Sequence, residues 1–154
     1  MAGVALHIDL SRLKLIQRRL DALANFDRSA LLGVVGDTVE AQTRTRLSEE
    51  KHAPDGAAWP QWSEAYAAMR HGDQSLLEGE GTLIDSIDHQ VAGDEVEIGS
   101  NLIYARVHQE GADFSIVSNR ANIRIPARPY LGISDANEAE IERTIVEWFE
   151  EIGT

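Results

Sequence analysis

Cysteine is absent from the 154-residue chain, which excludes disulfides, thiolate zinc sites and thiol nucleophiles and suits a reducing compartment. Lysine occurs only as Lys14 and Lys51, neither in a glycine-rich phosphate loop. No apolar run approaches the ~18 residues of a membrane span. The N-terminus carries Asp9, Arg12 and Lys14 where a signal peptide keeps its apolar stretch. The chain therefore reads as soluble, unprocessed and without a membrane partner. Aromatic residues make up only 6%, so any clustering of them is informative.

Signatures of catalysis are missing as well. The histidines at 7, 52, 71, 89 and 108 include no pair spaced three or four apart and no HExxH, so no helical metal site is expected. His89 shares an apolar strand face with Ile87 and Val91 and reads as a hydrogen-bonded, half-buried histidine. Gly79-Glu80-Gly81 lacks the third glycine of a dinucleotide loop, since Ile84 stands there. Gly99-Ser100 lacks the second glycine of a nucleophile elbow. Glu95 and Glu97 share a strand face, the ordinary pattern of a solvated surface, with nothing to raise a carboxyl pKa for acid catalysis. The sequence predicts no catalytic, cofactor-binding or metal-binding residues, no cofactor and no enzyme.

What is abundant is negative charge, 26 acidic against 14 basic side chains, a net of −12. That balance disfavours general nucleic-acid binding. Its distribution is uneven. Residues 1–46 hold seven basic and five acidic groups, a net of +2, whereas residues 135–154 hold seven acids and the single base Arg143, a net of −6. Between Phe114 and Ser134 there is no acid, but Arg120, Arg124 and Arg128 occur.

Periodicity supplies the elements. Val4, Leu6 and Ile8 alternate as a short strand; Leu13, Ile16, Leu20 and Leu23 then form one helical stripe opposite Arg12, Lys14, Arg18 and Arg19. Asp27 or Ser29 caps a second helix over about 30–50, in which Gly33 and Gly36 either weaken the helix or permit close approach. Pro54-Asp55-Gly56 is a turn, Ser63 caps a short helix to about Arg70, and Thr82 caps another over 83–87. Alternation around Gly93-Asp94 predicts a β-hairpin. Asn101 as N-cap and Gly111 after the last turn favour a helix of two to three turns, placing Tyr104 and His108 on one face. Residues 112–124 read as a loop with strand-like pieces at 114–117 and 123–125. Ser134 or Asp135 starts a last helix that buries Ile141, Ile145, Trp148 and Ile152. The expected fold is a single α+β domain, 1–154, with an N-terminal helical hairpin and a C-terminal helix packed on a small, mainly antiparallel β-sheet.

Several residues stand out as candidate assembly contacts. Trp59 and Trp62 lie in PDGAAWPQW, where a turn would otherwise be polar; they either cover the open end of the core or meet a partner. Arg128 sits between Pro126 and Pro129 beside Tyr130, poised either for a subunit contact or for a bridge to the acidic last helix. Arg120 and Arg124 lack the aromatic platform of a nucleic-acid surface and read as a partner-facing or solvated loop. Tyr104 and His108 complete the set.

The order of these motifs resembles the phage virion morphogenesis family, which includes tail-completion proteins of Mu-like and related contractile-tailed phages. The resemblance is carried by Asp55-Gly56 with Trp59, Gly81-x-Leu83-x-x-Ser86, Tyr104-Ala105 with His108-Gln109 and Gly111, and Ile125-Pro126-Ala127-Arg128-Pro129-Tyr130-Leu131. Leu47 departs from it, standing where an aromatic is expected before the turn. The resemblance implies a structural protein of tail completion and head–tail joining, at the head-proximal end of the tail and in the host cytoplasm during assembly. Its implied partners are other tail or head–tail connector proteins and copies of itself in a six-fold ring, with DNA met only in transit through a channel. A DNA-binding accessory protein of packaging or the connector is the alternative, disfavoured by charge; a small hydrolase is the second, disfavoured by the missing motifs.

Overall fold

The computed structural model describes residues 11–70, 72, 74–116 and 121–153. The expected strand over 4–8 and Arg120 lie outside these residues. Helix α1 (Ser11–Ala24) and helix α2 (Arg28–Thr45) form the predicted hairpin. Asp27 is the N-cap of α2, accepting the Ala30 amide. α2 runs on into a wider turn over Arg46–Glu50, where the Lys51 amide bonds the Arg46 carbonyl five residues back at 3.0 Å. Lys51 then adopts a left-handed conformation that ends the helix.

Helix α3 (Glu64–Ala67) is capped by Ser63 as expected. Helix α4 (Thr82–Asp85) begins after Gly81 at φ 86°, so Gly81 rather than Thr82 occupies the cap position; a side-chain cap is replaced by a backbone conformation that glycine accepts. Strands β1 (Ile87–Ala92) and β2 (Glu95–Ser100) pair antiparallel around Gly93-Asp94, the predicted hairpin. Helix α5 (Ala105–Glu110) is shorter than expected at its start. The Ala105 amide closes a turn onto Leu102, so Asn101 caps nothing. Strands β3 (Ala112–Ile116) and β4 (Ala121–Ile125) form a second antiparallel hairpin where a loop with strand-like pieces is predicted. Helix α6 (Asp135–Ile152) starts with a capping box between Ser134 and Asn137, and Ile141, Ile145, Trp148 and Ile152 are half-buried on it.

The class is α+β, with two separate two-stranded hairpins among the described residues instead of one sheet. α2 is central, packed against both β1–β2 and α6. Gly36 lets β1 approach: a Cβ there would lie 2.2 Å from the His89 ring, so the close approach permitted is to a strand histidine. The core comprises Leu47, Ala53, Trp59, Leu76, Leu83, Ile87, Ala105 and Tyr130. Leu47 is fully buried, filling as an aliphatic the place where an aromatic is expected.

Five polar residues, Gln42, Thr43, Arg46, Arg128 and Asn137, are as deep as the core. Arg46 is fully buried and donates to the carbonyls of Tyr130 (2.7 Å) and Gly132 (2.9 Å) and to Asn137 Oδ1. Gln42, one turn earlier, donates to the Asn137 carbonyl and to Glu140. These bonds fasten α2 to the segment that leads into α6.

Candidate assembly interface

Three of the sequence segments singled out above are bonded into one unit. The Arg128 amide donates to the His108 carbonyl at 2.8 Å. Gln109 Oε1 accepts the amides of Tyr130 and Leu131, both at 2.9 Å, while its Nε2 donates to the Leu131 carbonyl. Tyr130 Oη donates to the Ala105 carbonyl. The tryptophan loop joins them. Trp59 Nε1 donates to the Pro129 carbonyl at 2.8 Å, and the Arg128 guanidinium donates to the carbonyls of Pro60 (2.7 Å) and Gln61 (3.1 Å). Gly111, at φ 76°, makes room for the crossing, because a Cβ would stand 2.8 Å from the Ala127 nitrogen.

This arrangement agrees with the reading in which Trp59 covers the core, and gives Arg128 a role outside both of its readings. Trp59 and Tyr130 are buried within the protomer, so they build the surface from beneath without being exposed on it. Arg128, 5% exposed, does not bridge to the acidic helix; its guanidinium is held by the loop carbonyls of Pro60 and Gln61. A planar guanidinium with several donors suits a site that must satisfy loop carbonyls away from water. Its burial lowers its pKa from the usual arginine value. Burial likewise raises the Tyr130 phenol.

Above the unit lies a groove of about 840 Å³. Five of the sequence-derived candidates line it: Trp62, Tyr104, His108, Arg124 and Arg128. Tyr104 meets His108 edge-on at 5.8 Å, the predicted four-residue pairing. His108 Nδ1 is buried without a hydrogen-bond partner, and desolvation, aided by the nearby Arg128 charge, lowers its pKa and favours the neutral ring. Arg124 is open to solvent, with Asp113 3.9 Å away.

Sequence reasoning missed Tyr66, Arg70 and Ile123 in the same lining. Trp62 and Tyr66 meet edge-on at 6.0 Å, and the Arg70 guanidinium sits 5.2 Å and 4.8 Å from their ring centres. Part of the signal was available, because Tyr66 and Arg70 lie four apart in the helix predicted after Ser63, whereas Trp62 precedes it. Ile123 is exposed and pairs across β3–β4 with the equally exposed Phe114. Acids also line the groove: Glu78, held by Ser75 and Lys51, and Glu80. Aromatic and aliphatic side chains thus share the lining with Arg70, Arg124, Arg128 and two acids.

A second cluster brings Asp37, Glu40 and His89 together. His89 Nδ1 lies 2.7 Å from Glu40, its Nε2 faces Asp37 at 3.9 Å, and Arg44 holds the other Glu40 oxygen at 2.8 Å. Each ring nitrogen thus faces its own carboxylate, an arrangement of a paired histidine between α2 and β1. His89 is half-buried and hydrogen-bonded, as its place on the strand suggested.

Comparison with known proteins adds the identity that the geometry leaves open. The chain is 33% identical over 131 residues, 82% of its length, to protein G of Escherichia phage Mu, to which a role in capsid assembly is ascribed, and the match covers 83% of that protein. No solved structure matches the chain. The phage virion morphogenesis family matches residues 8–150. Spanning nearly the whole chain, that match includes every segment of the bonded unit, and the chain belongs to the phage virion morphogenesis family, with a structural role in phage assembly.

Proposed function

We propose that the protein is a tail-completion subunit that works at the head-proximal end of the tail, where it prepares the tail to join the filled head, and that it works as a ring of identical copies. The observation that carries this reading is the groove. The residues that mark the family build its floor, and its mouth exposes Tyr66, Tyr104 and Ile123 around the Arg70 stack. Exposed aromatics around a cation are costly on a solitary protein and favour a partner's surface. The role ascribed to the Mu relative concerns the capsid, and a joint between head and tail is where tail and capsid proteins meet.

In a ring around the DNA path, the net charge of −12 limits sticking of DNA in transit through like-charge repulsion. The test is electron microscopy of lysates from phage lacking this chain. Full heads beside separate tails support the reading; complete virions contradict it. Misshapen or missing heads place the step in capsid building instead. Tight, salt-sensitive DNA binding by the purified protein favours the alternative of a packaging accessory.

A further inference from the structure

The described part of helix α1 is little covered. From Gln17 to Asn25 every residue is exposed except Ala22. Leu20 and Leu23, three apart and hence on one face, are 60% and 44% exposed. A helix of 14 residues is marginal in water by itself and draws its stability from a surface its apolar stripe can cover. α1 is also basic, with Arg12, Lys14, Arg18 and Arg19 against Asp21.

The complementary surface is on the same chain. α6 turns a row of Glu138, Glu142, Val146 and Glu150 outward at four-residue spacing, with Val146 56% exposed. Seven acids against Arg143 make this helix the most negative element of the chain. Within one protomer, among the described residues, the two helices approach near their C-terminal ends. Phe26 packs edge-on against Trp148 at 6.0 Å and Phe149 at 5.1 Å, and Arg19 lies beside Gly153. That contact leaves Leu20, Leu23 and Val146 all uncovered.

We infer that α1 docks on the outward row of α6 of a second copy, its leucines against Val146 and its arginines against the glutamates. The contact joins two different surfaces head to tail, so it propagates from copy to copy, as a ring requires. It rests on the proposed self-assembling role and names the surfaces that would perform it.

The test uses two variants with exposed substitutions, R18E/R19E in α1 and E142R/E150R in α6, each checked for native helix content by circular dichroism. Sedimentation velocity at low salt should show concentration-dependent association of the wild type and association weaker by about tenfold or more in each variant alone. An equimolar mixture of the two should regain it, because each reversed helix then finds an opposite partner. A wild type that stays monomeric at every concentration, a variant that associates like the wild type, or a mixture that fails to recover overturns the contact. Head–tail joining by phage lacking the chain would defeat the proposed function while leaving a demonstrated α1–α6 contact standing.

Discussion

Arg128 donates its Nε to the Pro60 carbonyl at 2.7 Å, tying the segment between two prolines to the tryptophan loop 68 residues earlier. With Nη2 on Gln61, the side chain closes the floor of the groove from inside. A buried donor that satisfies two loop carbonyls is expensive to remove, because they would be left without partners. Arg128→Met should destabilise the protein by about 3 kcal/mol in urea unfolding, and Arg128→Lys by less. Unchanged stability in Arg128→Met would show that water replaces the guanidinium.

Gly36 and His89 are coupled by space. Gly36→Ala in the wild type should cost about 1–3 kcal/mol, since the new Cβ meets the imidazole at 2.2 Å. In a His89→Ala background the same substitution should stabilise by up to about 1 kcal/mol, as alanine is the better helix former. A double-mutant cycle reads the sign change. The same cost in both backgrounds would mean that the ring is not the obstacle.

His108 makes stability depend on pH. Its folded-state pKa lies below the ordinary value, so between the two values the unfolded chain binds more protons. The stability tied to its neutral ring is complete above about pH 6.5 and declines as pH falls below that. His108→Gln should flatten this acid-side decline between about pH 7.5 and 5.5, before the carboxylates titrate. Parallel curves for variant and wild type would remove His108 as the cause.

Asn137 serves two structures at once, the capping box of α6 and the buried guanidinium of Arg46. Asn137→Ala should cost about 2–3 kcal/mol through both losses. Asn137→Asp, which keeps the acceptor, should cost markedly less. Equal costs would deny Arg46 its role.

The parts of this fold legible in the sequence are those with local causes. Alternation around Gly93-Asp94 announced the β1–β2 hairpin, and Asp27, Ser63 and Ser134 announced their helices by side-chain capping. Where the cause is distant, the sequence is silent. Arg46 reads as an ordinary helical arginine, because its acceptors at 130, 132 and 137 come from the far end of the chain. Arg128 is conspicuous between its prolines, but only the fold shows that the loop carbonyls of Pro60 and Gln61 claim it. β3–β4 was readable only in fragments, since Asp113, Ser115, Asn122 and Arg124 face solvent and Phe114 and Ile123 are exposed as well, so no buried face imposes a pattern. Trp62, Tyr104, His108 and Arg124 were legible as candidates, whereas their convergence on one groove depends on the Arg128 and Gln109 bonds.

Complementation in vitro decides whether the protein joins heads to tails through the groove. An extract of phage lacking this chain is supplemented with purified wild type or with Tyr66→Ala/Tyr104→Ala, which loses the ring contacts to Trp62, Arg70 and His108 and is first shown by circular dichroism to be folded at the assay temperature. Infectious titre should rise with the wild type and stay near background with the variant. Full restoration by the variant, or no restoration by the wild type, would contradict the claim.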